Sequence, residues 1–100
     1  MGLTPVHVAA QADKAFPLQF LYSRGMDMES IDNEGQTPLH WACYQGAEEA
    51  IYYLLAWIKK INLQDNNGKT ALHQAVEQSQ RFTNYRAFKE MLIKGSSRRL

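Results

Sequence analysis

Gly35-Gln36-Thr37-Pro38-Leu39-His40-Trp41-Ala42 decides how this chain folds, because its central tetrad returns on both sides of it. Thr4-Pro5-Val6-His7 precedes Thr37-Pro38-Leu39-His40, and Thr70-Ala71-Leu72-His73 follows it, each time at an interval of 33 residues. An alanine stands two residues after every histidine: Ala9, Ala42 and Ala75. A fixed period between about 20 and 50 residues is the mark of stacked supersecondary units, each of which buries its apolar face against the next.

The middle copy shows how one unit is built. Asp32-Asn33-Glu34-Gly35 reads as a turn, since Asp and Asn side chains bond their own backbone and Gly tolerates positive φ. Thr37 is the expected N-cap, and Pro38 occupies N1, where a missing N–H costs nothing. Leu39, Ala42 and Cys43 then form an apolar stripe at helical spacing, and Gly46 closes this short inner helix. The spacing predicts an outer helix from about Glu48 to Ile58, with Ile51, Leu54, Leu55 and Ile58 on its core face. Its acidic start, Glu48-Glu49, and basic end, Lys59-Lys60, both complement the helix dipole. The alanines after each histidine let neighbouring inner helices approach to about 8–10 Å.

The flanking copies depart from this one in definite places. The first begins at Gly2, aligned with Gly35 and Gly68, and Pro17 falls near the start of its outer helix, where proline is tolerated. The second has Ile58 in the slot that Gly25 fills in the first, which argues against a left-handed helix end there. The third carries extra residues within Glu77–Tyr85, expected to lengthen its inner helix or the loop after it. The expected organisation is a single domain over 1–100, with repeats of about 1–31, 32–64 and 65–100. Neither end reads as a polar capping repeat, so the expectation is a piece of a longer protein.

Composition narrows the class. With 45% hydrophobic and 21% charged residues the chain is globular in type rather than disordered. The net charge is +1, but it is uneven: −1 over 1–31, −2 over 32–64 and +4 over 65–100. The basic residues of the last repeat are Lys69, Arg81, Arg86, Lys89, Lys94, Arg98 and Arg99. They read first as a solvated face, with an acidic, phosphate or membrane contact as the sharper alternative. One cysteine, Cys43, excludes an intrachain disulfide and fits a reducing compartment. The apolar run Ile51–Ile58 is far below the ~20 residues that span a bilayer, and the N-terminus lacks a signal-peptide pattern.

All three copies resemble ankyrin repeats, carried by Gly35 to Ala42 and by Asn62-Leu63-Gln64-Asp65-Asn66-Asn67-Gly68-Lys69-Thr70-Ala71-Leu72-His73. The resemblance implies an all-α solenoid of turn–helix–helix units whose ligands meet the turn tips and the exposed side of the inner helices. Pro38-Leu39-His40-Trp41-Ala42, followed by Ile61-Asn62-Leu63 and Thr70-Ala71-Leu72-His73, also looks like the ankyrin region of DHHC-type protein S-acyltransferases. In those enzymes this region precedes the membrane-spanning catalytic part and recruits substrates. Nothing of the catalytic Cys-rich segment is present, so the resemblance reaches the recruiting module alone.

Catalytic and metal chemistry find no support in the spacing. His7, His40 and His73 share one repeat position, so they stand a repeat apart, whereas zinc ligands converge to ~2 Å from one ion. They are read as structural, hydrogen-bonding locally around helix start and turn. Cys43 lies three residues after His40, but its slot matches Ala10 and Val76 and reads as core. Glu48 and Glu49 are adjacent and do not face each other on a helix. The glycines follow the turn pattern and form no phosphate loop. No cofactor and no nucleic-acid partner are expected.

The expected function is binding of a protein, in the form of an extended peptide across the concave face. Trp41, in a slot held by Val8 and Gln74 elsewhere, is the expected anchor, with Tyr44 and Gln45 beside it. Packing between repeats is the competing role for Trp41. The turns add Asn33, Glu34, Gln36, Asn66, Asn67 and Lys69, and the third inner helix adds Gln74, Glu77 and Gln78. Trp57, near the end of an outer helix, is assigned to packing. Three contexts stay open: a soluble adaptor, the substrate-recruiting domain of a membrane palmitoyltransferase, and a module packed against its own parent chain. The expected state is a monomer in the cytoplasm or on the cytosolic side of a membrane protein.

Overall fold

The computed structural model describes residues 2–58 and 63–78. Over these it contains five helices: α1 (Pro5–Gln11), α2 (Ala15–Ser23), α3 (Pro38–Gln45), α4 (Glu48–Trp57) and α5 (Ala71–Glu77). α1, α3 and α5 form the inner layer, with α1 packed on α3 and α3 on α5. α2 and α4 form the outer layer, each against its own inner helix and against the other. The lengthened segment expected within Glu77–Tyr85, the basic pair Lys59-Lys60 and most of the basic third repeat lie outside the described residues.

Each inner helix starts by one device. Thr4, Thr37 and Thr70 are extended at the N-cap, and each hydroxyl accepts from the backbone N–H of the histidine three residues on. The histidine answers: Nδ1 of His40 accepts from the Thr37 backbone N–H at 3.2 Å and from its hydroxyl, 2.8 Å away. This is a capping box in which His takes the place usually held by Glu or Gln. With Nδ1 accepting, the proton belongs on Nε2, which donates to the Lys69 carbonyl at 2.9 Å. His7 does the same toward the Gln36 carbonyl at 2.8 Å. His7 and His40 therefore hold one repeat to the next as well as capping locally, a second task that sequence spacing does not reveal.

Helix ends follow the residues available. Gly46 caps α3 in the left-handed region (φ 70°), which lets the chain reverse into α4. Ile58 ends α4 in extended backbone and not in the left-handed region, which a β-branched residue disfavours. In the first repeat the position of Gly46 belongs to Asp13, which also takes a left-handed conformation (φ 58°). Its carboxylate Oδ1 accepts from the Ala50 N–H at 2.9 Å, so a residue of repeat one caps the start of α4, where Ala47 has no capping side chain.

The core runs between the layers: Val6, Ala10, Leu18, Leu39, Ala42, Cys43, Ala50, Ile51, Leu54, Leu55 and Ala75 are buried. Ala10, Ala42, Cys43 and Ala75 are the small core residues of the inner helices; Leu39 of α3 joins Leu18, Ile51, Leu54 and Leu55 of the outer layer, each contributing roughly 1.5–3 kcal/mol on burial. The alignment of Val76 with the core slot of Ala10 and Cys43 does not hold: Val76 is 55% exposed whereas the other two are fully buried.

Candidate functional site: Trp41 and the turn fingers

The two described fingers are built on one plan. Asp32 and Asp65 lead them, each with a backbone N–H donating back to the carbonyl four residues on, Gln36 and Lys69. Oδ1 of Asp32 accepts from the Glu34 and Gln36 N–H groups, both at 2.9 Å. Oδ1 of Asp65 accepts equivalently from Asn67 and Lys69. The fingers then join: the Asn66 N–H donates to the Glu34 carbonyl at 2.9 Å, and its side-chain amide to the Asn33 carbonyl at 3.2 Å.

The second carboxylate oxygen distinguishes them. Oδ2 of Asp65 accepts from the Gln36 side chain at 3.1 Å, a bond between adjacent fingers. One period earlier the residue matching Gln36 is Leu3, which has no donor. Oδ2 of Asp32 takes its bond instead from the Trp41 indole N–H at 2.9 Å. Partial burial opposes ionisation of both carboxyls, but the hydrogen bonds outweigh it and hold each below its ordinary value. For His40 the order is reversed: burial outweighs the Lys69 carbonyl and the two nearby aspartates, and its pKa falls. Burial also pushes the Cys43 thiol far up, which leaves it protonated and unsuited to nucleophilic work.

Trp41 is half-buried, its polar edge tied to Asp32 and its ring edge-on to Tyr44 with centroids 6.2 Å apart. Leu3, Asp32, Asn33, Glu34 and Trp41 line a cavity of about 390 Å³. Tyr44, Gln45, Asn33, Glu34, Asn66 and Asn67 are exposed around it and along the fingers. Gln36 and Lys69 are half-buried; the first spans two fingers, and the second forms an ion pair with exposed Glu77 at 2.9 Å. Gln78 is half-buried.

Gln74 departs from the expected surface role: it is 7% exposed. The slot is not uniformly a surface position. Val8, with no described helix before it, is 49% exposed, Trp41 follows α1 and is half-buried, and Gln74 follows α3 and is buried. Sequence reasoning misses Asp32 and Leu3 as contacts; the mismatch of Leu3 with Gln36 across one period is the signal that points to them. Trp57 packs as expected, stacked on Tyr22 with centroids 4.1 Å apart. Among the described residues no group of His, Cys, Asp and Glu is placed to hold a metal ion, and no helix is long and apolar enough to cross a membrane.

Comparison with known proteins agrees with this architecture. Residues 6–97 match the family model described as ankyrin repeats (3 copies). The chain is 42% identical over 55 residues to Probable protein S-acyltransferase 23 of Arabidopsis thaliana, covering 54% of this chain and 10% of that protein. It is 37% identical over 54 residues to NF-kappa-B inhibitor alpha of Gallus gallus, covering 54% of this chain and 17% of the other. It is 33% identical over 55 residues to Calmodulin-binding transcription activator 6 of Arabidopsis thaliana, covering 55% and 7%. The chain thus spans less than a fifth of the length of each of these relatives. Three in-register capping boxes, paired helices and fingers at a 33-residue period, together with the family match, place the chain in the ankyrin-repeat family.

Proposed function

We propose that this chain is a non-catalytic protein-binding module that takes an extended peptide across its concave side, with Trp41 as the anchor. The observation carrying this reading is the half-exposed indole: its N–H is fixed by Asp32, and exposed Tyr44, Asn33 and Glu34 surround it. A large aromatic held in one orientation loses little entropy on binding and is a frequent hot spot. Ankyrin repeats are generally interaction modules, and one relative is named as the inhibitor of another protein, NF-kappa-B. We take residues 1–100 as one such unit, acting as a monomer on the cytosolic side.

A second reading makes the module the substrate-recruiting arm of a membrane-bound palmitoyltransferase. The similarity to a protein named as a probable S-acyltransferase favours it over a role confined to packing within a parent chain. Both readings use the same face. The test is capture of partners from a cytosolic and a detergent-solubilised membrane fraction by wild type, Trp41→Phe and Trp41→Ala. Trp41→Ala is expected to weaken binding by more than ~1 kcal/mol. Because Trp41 also bonds Asp32, Trp41→Phe controls for loss of that bond while keeping an aromatic ring. Equal capture by all three proteins would remove Trp41 as anchor.

A further inference from the structure

We propose that the cavity between Leu3 and Trp41 is a receptor for an arginine side chain of the bound peptide. This rests on the concave-face reading and names the chemistry of its central contact. The cavity, about 390 Å³, has an indole on one side and the carboxylates of Asp32 and Glu34 on another. One residue distinguishes this interval from the next. At the next interval Gln36 crosses between the fingers and donates to Asp65, whereas Leu3 supplies an apolar wall and no donor to Asp32.

Asp32 and Glu34 have no cationic partner among the described residues; Lys69 is paired with Glu77 instead. Each carboxylate oxygen accepts more than one hydrogen bond, so Asp32 keeps acceptor capacity after the indole and the backbone N–H groups are served. The indole N–H is already committed to Asp32, so what Trp41 offers a ligand is its π face. A hydrogen bond from an indole to a carboxylate raises electron density on the ring, which favours a cation above it. A guanidinium matches all three features at once: it stacks on an aromatic face, forks onto carboxylates and is weakly hydrated. A lysine ammonium would meet the charge but not the planar stack. The negative balance of residues 1–64 supports approach of such a cation.

The test follows the Trp41 indole N–H resonance, assigned through Trp41→Phe, while the 100-residue chain is titrated with a blocked peptide Gly-Ser-Arg-Ser-Gly and its citrulline counterpart. Citrulline keeps the shape and removes the charge. The arginine peptide is expected to bind on the order of tenfold tighter, with the preference shrinking at high salt. Leu3→Gln, which rebuilds the bond that Gln36 makes, and Glu34→Gln, on an exposed position, are each expected to reduce the preference without unfolding the chain. Equal affinity for both peptides, or an arginine preference unchanged in Leu3→Gln and Glu34→Gln, overturns the proposal. Binding of both peptides alike at Trp41 would leave the concave-face reading standing; no shift at Trp41 with these peptides and full capture of partners by Trp41→Ala would remove both.

Discussion

Asp13 Oδ1 accepts a hydrogen bond from the backbone N–H of Ala50 at 2.9 Å, across 37 residues of sequence. The bond satisfies one of the four N–H groups that every helix leaves bare at its start. α4 has no local alternative, since Ala47 at its N-cap carries no acceptor. Asp13 must adopt φ 58° to make this contact, a conformation that Asp tolerates better than most residues.

Cap and strain act in opposite directions at this position, so three substitutions separate them. Asp13→Ala loses the cap and keeps the unfavourable φ, and is expected to cost about 1–2 kcal/mol. Asp13→Gly loses the cap but relieves the backbone, so its cost should be smaller. Asp13→Asn keeps an acceptor and should lie nearest the wild type. Urea unfolding followed by circular dichroism ranks them, and an Asp13→Ala midpoint equal to wild type would show that water replaces the cap without loss.

Gly35 and Gly68 share a turn position and a positive φ, 76° and 81°, yet they should not tolerate alanine equally. A Cβ on Gly35 would stand 2.6 Å from Asn66 Oδ1 and 3.1 Å from the Asn66 backbone N. That N–H donates to the Glu34 carbonyl, so the fingers cannot part without losing the bond. A Cβ on Gly68 meets nothing within 4 Å. Gly68→Ala is therefore expected to cost about 1–2 kcal/mol for its backbone alone. Gly35→Ala should cost roughly 1 kcal/mol beyond that, for the lost inter-finger bond. Equal thermal-denaturation losses for the two variants would mean that the fingers separate freely.

Acid should weaken the fold in two stages. Burial lowers the His40 pKa below 6.5, so as pH falls through that value the unfolded chain binds a proton that the folded chain refuses. Stability is then full above about pH 6.5 and declines below it. Protonation would also turn Nδ1 into a donor, so that it could no longer accept from Thr37. Asp32 and Asp65 have pKa values held below 3.8, so the stability they contribute is present above that value and lost as pH falls further. Unfolding midpoints at pH 7.5, 5.5 and 3.5 test both stages. His40→Gln should flatten the change between 7.5 and 5.5; the same slope in the variant would assign the first stage to other groups.

Period, helix starts and the Gly46 turn were legible because each is a local rule: Thr37 caps, Pro38 fits N1, and Gly46 reverses the chain. The outer helix ended one residue before the expected limit, with Ile58 as its cap. What stayed hidden depends on pairs of residues from different repeats. Asp13 reads as a loop residue until Ala50 is beside it, and the second bond of His40 needs the Lys69 carbonyl in place. Gln74 shows the converse limit: a position that varies between repeats reads as surface, but its burial differs from one repeat to the next. Trp41 is half-buried, and its indole N–H bonds Asp32 of its own repeat, a contact that a packing role between repeats does not describe.

The outer layer is joined by an aromatic pair, and its contribution beyond buried area can be measured. Tyr22 of α2 and Trp57 of α4 lie with centroids 4.1 Å apart and planes 4° from parallel, and Tyr53 tilts against Trp57 at 5.6 Å. Tyr22 is 47% exposed, so its removal opens no sealed cavity. Single substitutions Tyr22→Leu and Trp57→Leu keep apolar bulk while removing one ring each, and the double variant closes the cycle. A specific ring–ring term predicts a coupling of about 0.5–1.5 kcal/mol. Strict additivity would mean that the two outer helices are held by apolar burial alone, through Leu18 and its neighbours, and that the rings only cover them.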